Sequence, residues 1–122
     1  NIHVADFDQK CAPNYYKGAL TVDPNYQYHF YRQDSNGFWS HKDGGLPVTN
    51  LDASNKIISD PKLADKNYPD KKKPVNYSDF CNYYCIPSNQ HTNTFMGRRN
   101  PKNKNLKYKT HDNDNNLELK CF

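Results

Sequence analysis

The alternation of apolar and polar positions is clearest between residues 15 and 42. Lys17-Gly18-Ala19-Leu20-Thr21-Val22 reads as a short strand, stopped by the turn signal Asp23-Pro24-Asn25. Tyr26 to Gln33 reads as a second, aromatic-rich strand. Asp34-Ser35-Asn36-Gly37 turns the chain, and Phe38 to Lys42 returns it. Val48 to Leu51 predicts a further short strand, and Asp60-Pro61 opens a helical turn with Asp60 as cap. Asn76-Tyr77-Ser78-Asp79 predicts the start of a short helix running through Cys85, capped by Asn76 or Ser78 and ended by Pro87. Residues 88–122 show almost no apolar pattern apart from Leu117, Leu119, Cys121 and Phe122, whose alternation suits a short edge strand laid on another surface.

These elements predict an α+β fold: a small antiparallel β-meander of three to five strands packed by the short helix near 76–85. The expected organisation is an N-terminal arm (1–16), a small domain (17–87) and an extended C-terminal arm (88–122). The expected core is Tyr16, Leu20, Val22, Tyr28, Phe30 or Tyr31, Trp39, Phe80, Tyr84 and Ile86.

Composition sharpens this picture. In 122 residues, Leu, Ile, Val and Phe number only 21, so the aliphatic core is thin and ten Tyr must supply part of the buried area. Mean hydropathy is −1.16, and no apolar run is long enough to cross a membrane as a helix. No apolar stretch near Asn1 reads as a signal peptide, and a start at Asn rather than Met reads as a processed or trimmed chain. The net charge of +4 is too small to demand nucleic acid. The basic excess gathers at Lys71-Lys72-Lys73, at Arg98-Arg99 and between Lys102 and Lys109, positions that read as solvated surface.

A core this poor needs support from disulfides or partner contacts. Cys11, Cys81, Cys85 and Cys121 are an even set that permits two disulfides in three connectivities. Free thiols are the alternative; a metal is disfavoured, because Cys81 and Cys85 carry three intervening residues rather than the two usual in a zinc knuckle. His3, His91 and His111 show no ligand spacing, and no phosphate loop or metal motif is present, so no cofactor is implied. Asn76-Tyr77-Ser78 fits a glycosylation acceptor, a triplet frequent by chance among 17 Asn.

The hairpin carries the candidate chemistry. A three-residue loop Ser35-Asn36-Gly37, with Gly37 left-handed, pairs Gln33 with Trp39 and Tyr31 with His41. His29, Tyr31, Gln33, Trp39, His41 and Asp43 then share one face, with Phe30, Arg32, Ser40 and Lys42 on the other. A two-residue loop would put the histidines on opposite faces. Two imidazoles and a carboxylate on one face could be the base half of a nucleophile–base pair, but residue types alone favour a structural histidine in an aromatic sheet.

The segments His29-Phe30-Tyr31-Arg32-Gln33-Asp34 and Trp39-Ser40-His41-Lys42, within a stretch from about Cys11 to Pro87, resemble an uncharacterised family of large DNA viruses with bacterial relatives. More distantly, the layout is similar to papain-like cell-wall peptidases and amidases. That resemblance implies a papain-like remnant, with His29 as base and His41 as its orienter. The order departs from the pattern: Cys11 is followed by Ala12-Pro13-Asn14, which opens no helix, and Cys81 and Cys85 follow the histidines. No nucleophile stands where the resemblance requires one.

The function expected from these readings is a structural virion component, a minor capsid or cement protein contacting other capsid proteins in several copies. The alternatives are a papain-like peptidase or amidase whose nucleophile lies outside this chain, and a nucleic-acid-binding module using Tyr beside Lys, as at Tyr15-Tyr16-Lys17. The virion is the expected location, with secretion or the host cytoplasm as alternatives.

Overall fold

The computed structural model describes residues 1–89 and 119–121. Every regular element in them is a strand: β1 (His3–Ala5), β2 (Tyr15–Val22), β3 (Tyr28–Gln33), β4 (Trp39–His41), β5 (Asn67–Tyr68), β6 (Val75–Asn76) and β7 (Asp79–Pro87). Five form one antiparallel sheet in the order β1-β7-β2-β3-β4, while β5 and β6 make a separate two-stranded sheet.

The expectation of an α+β fold with a packing helix is therefore wrong. The segment expected to be that helix is β7, the longest strand, held between β1 and β2. Its residues favour the sheet: Phe80, Tyr83, Tyr84 and Ile86 have aromatic or β-branched side chains that suit a pleated surface. Because both faces of β7 are covered from Tyr83 to Ile86, its sequence lacks the polar alternation that marks a half-exposed strand. Asn76 and Ser78, read as helix caps, instead belong to β6 and to the turn that leads into β7.

The register explains the two cores. Opposite β2, the partners step from Asn82 (with Leu20) to Phe80 (with Thr21), which leaves Cys81 as the extra residue of a bulge in β7. On one face, Tyr16, Leu20, Val22, Tyr28, Phe30, Tyr84 and Ile86 pack together, joined by Ile2, Cys81 and Leu119. On the other, Ala19, Tyr31, Trp39, Ile58 and Tyr83 pack with Ala64 and Phe80. Phe30 and Tyr31, offered as alternatives by the sequence, are both buried, one on each side. Gly18 sits where Phe30 crosses β2. A Cβ there would lie 2.3 Å from Phe30 Cζ and 2.8 Å from Ile86 Cδ1, so only glycine lets those side chains lie against the strand.

Two disulfides staple these layers. Cys11 bonds Cys85 and thereby ties the loop after β1 to the C-terminal part of β7. Cys81 bonds Cys121, which holds the C-terminal residues on the first face. There the Leu119 N–H donates to the Pro24 carbonyl (2.7 Å) and the Tyr28 hydroxyl donates to the Lys120 carbonyl (3.1 Å). Residues 119–121 are not a strand, and Leu117 and Phe122 lie outside the described residues.

The long excursion from residue 42 to 78 covers the second face. It extends the β4 edge through backbone pairings of Trp39 with Ile58 and His41 with Thr49. The strand expected at Val48 to Leu51 is reduced to isolated bridges at Thr49 and Leu51. Lys66 Nζ gathers the turn at its middle by donating to the carbonyls of Pro61, Lys62 and Ala64.

Candidate functional site

The turn chemistry sets the site. Gly37 adopts φ +90°, the Gly37 N–H donates to Asp34 O, and the Asp34 N–H donates to Phe38 O. This closes the three-residue loop and pairs Tyr31 with His41 and Gln33 with Trp39. His29 and His41 consequently share one face. Their rings meet edge to face with centroids 4.9 Å apart, and His29 Nε2 lies 2.7 Å from His41 Nδ1.

The protons of this pair follow from its surroundings. His41 Nε2 lies 2.8 Å from the Leu51 carbonyl, which can only accept, so His41 carries its proton on Nε2. Its Nδ1 must then accept, and His29 donates from Nε2. His41 is neutral in this arrangement, because its Nδ1 accepts. Burial pushes the His41 pKa below the ordinary imidazole value; the Lys71 charge adds to that effect, while Leu51 O and Asp52 oppose it. The carboxylate expected on this face plays no direct part, because Asp43 pairs with Lys71.

Aromatic rings enclose the pair. Tyr77 stacks on His29 with centroids 4.6 Å apart and an interplanar angle of 18°. Tyr31 meets His29 edge-on at 5.1 Å and lies tilted against His41 at 4.9 Å. Tyr77 is itself fixed, its hydroxyl accepting from Gln27 Nε2 at 2.7 Å. Burial raises the phenol pKa values of Tyr31, Tyr68 and Tyr77, those of Tyr68 and Tyr77 to about 12, so all three stay protonated at neutral pH. The Tyr31 hydroxyl and the Tyr68 hydroxyl are buried without a hydrogen-bond partner among the described residues. Such groups add cost to the layer rather than stability.

Of the residues singled out in the sequence, His29 and His41 come together, and the four cysteines do not join them. All four sulfurs are consumed in disulfides, so the oxidised chain offers His29 no thiolate of its own. No group of three or more His, Cys, Asp or Glu among the described residues is arranged to hold a metal. No helix among them is long and apolar enough to cross a membrane. The sequence reading missed Tyr77 and the Leu51 carbonyl. Both reach the histidines from the excursion, where no local pattern marks them. The arrangement holds the His41 ring in one tautomer under a closed aromatic lid, with both 6 % exposed His29 and 8 % exposed His41 shielded from solvent.

No protein-family model matches the chain, and no solved structure matches it. Over 68 residues the chain is 43 % identical to Insoluble matrix shell protein 1 of Ruditapes philippinarum, a match covering 56 % of this chain and 40 % of that protein. The chain thus spans less than half the length of the curated relative it matches.

Proposed function

We propose that this chain is a structural module of an insoluble extracellular assembly, folded in an oxidising compartment and stapled by its disulfides. The observation that carries the reading is the use of the cysteines. Both bonds tie peripheral chain to β7, one on each face of the sheet, and none is left for chemistry. Disulfides of this kind persist in secreted proteins, and a thin core gains most from them. The histidine pair fits the same role, because its last proton ends on a backbone carbonyl and Tyr77 closes it over.

The partial likeness to a protein named for an insoluble shell matrix supports an assembly role. A virion and an extracellular matrix make the same physical demand on a small stapled domain, and that name favours the matrix. A thiol-dependent hydrolase would need a sulfur brought beside His29 by another chain, because the four of this chain are paired with one another.

The test is sequential extraction of the source material, with the chain followed by mass spectrometry. The reading expects recovery in the residue released only by denaturant with reductant. Recovery in the saline-soluble fraction overturns it.

A further inference from the structure

Asn76 opens the single Asn-x-Ser/Thr triplet with a non-proline centre in the chain, Asn76-Tyr77-Ser78. With 17 Asn in 122 residues, composition alone supplies about one such triplet, so the pattern by itself carries nothing. Its placement does. Asn76 is exposed, whereas the residues on either side, Val75 at 4 % and Tyr77 at 1 %, are buried. In the β5–β6 pair, Asn76 stands opposite Asn67 and Val75 opposite Tyr68. Asn67 and Asn76 therefore form the outward face, and Tyr68 with Val75 the inward one. What fixes Asn76 is its backbone: its N–H donates to Asp23 Oδ2 at 2.9 Å and its carbonyl accepts from the Ser78 N–H at 2.8 Å. The amide side chain is left on the solvent side.

We propose that Asn76 carries an N-linked glycan, added as the chain enters the secretory route. This rests on the extracellular reading above, because the transfer needs that compartment. The donor is a lipid-linked oligosaccharide pyrophosphate. Asn76 Nδ2 attacks C1 of its first sugar and loses one proton, the bond from C1 to the pyrophosphate oxygen breaks, and the lipid pyrophosphate leaves with the electron pair. Nothing is oxidised or reduced. The finished fold accommodates the product, because the attachment point faces water. The glycan stands on the outside of the same layer whose next residue, Tyr77, packs inward on His29. It makes the outward face of the β5–β6 pair a hydrated surface.

The test uses native material and the full chain. Peptide N-glycosidase in heavy-oxygen water converts a glycosylated Asn76 to labelled Asp, and Asn76 peptides are expected to carry the label, as for an exposed acceptor in a secreted protein. Full chain secreted from eukaryotic cells is expected to lose the enzyme-sensitive mass shift in Asn76→Gln and Ser78→Ala, and to keep it in Ser78→Thr. Native peptides that are entirely unmodified at Asn76 overturn the proposal. If such unmodified chain still sits in the insoluble residue, the glycan proposal fails while the assembly reading stands. Labelled Asn76 in saline-soluble chain is the reverse result: it supports the glycan and overturns the assembly reading.

Discussion

His29 donates its Nε2 proton to His41 Nδ1 across 2.7 Å, and His41 passes its own to the Leu51 carbonyl across 2.8 Å. A carbonyl that can only accept fixes the direction of the whole chain. Nitrogen-detected NMR at neutral pH is expected to show both rings protonated at Nε2, with His41 Nδ1 as a pyridine-type nitrogen. A His41 ring protonated at Nδ1 alone would contradict the arrangement.

Acid should weaken the fold through this pair. His41 is held neutral by burial, so its folded pKa lies below the unfolded value near 6.5. The unfolded chain then binds the proton first as pH falls. Stability from this site is complete above the unfolded pKa and is lost as pH falls through the folded one. Urea midpoints are expected to be flat from pH 8 to 7 and to drop between pH 6.5 and 5. His41→Gln should flatten that drop, even though it lowers the midpoint at neutral pH.

Gly18 faces a different constraint. Alanine there would set a methyl 2.3 Å from Phe30 Cζ, so either the ring or the strand must move. Gly18→Ala is expected to cost about 1–3 kcal/mol in urea unfolding. Adding Phe30→Leu should make that step cheaper than it is in the wild-type background, a non-additivity that a double-mutant cycle reads directly.

The Cys11–Cys85 bond spans 74 positions, against 40 for Cys81–Cys121. Replacing both Cys11 and Cys85 by Ala is expected to cost about 2–5 kcal/mol, with the chain-entropy part larger for the longer loop. Differential scanning calorimetry of the two paired variants checks the order.

Lys66 is the polar counterpart of these staples. Its ammonium serves three carbonyls between Pro61 and Ala64, and burial lowers its pKa. Lys66→Met keeps the stem but leaves those carbonyls to water or unpaired, for an expected loss of about 1–3 kcal/mol. Amide exchange should quicken across residues 60–66 before it does in β2.

The meander and the histidine face were legible in the sequence because they are local. Asn36-Gly37 chemistry allows few loop closures, and of the two the sequence offered, the three-residue one pairs Tyr31 with His41 within ten residues. β7 was not legible. Its strand character comes from β1 and β2 lying on either side, partners about 60 to 80 positions away in the chain. Without them, Asn76, Ser78 and cysteines four apart imitate a helix.

By itself, then, the sequence determined the turn, the apolar strands on either side of it, the two registers that turn allows, and a core too thin to stand without disulfides or partner contacts. The tertiary structure alone decided which cysteines bond, that Cys81 occupies a bulge, and that Tyr77 and Leu51 complete the histidine site. The reason is range. Turn geometry acts through the dihedrals of adjacent residues, whereas stacking, disulfides and a carbonyl partner depend on groups that only folding brings within a few ångströms of each other.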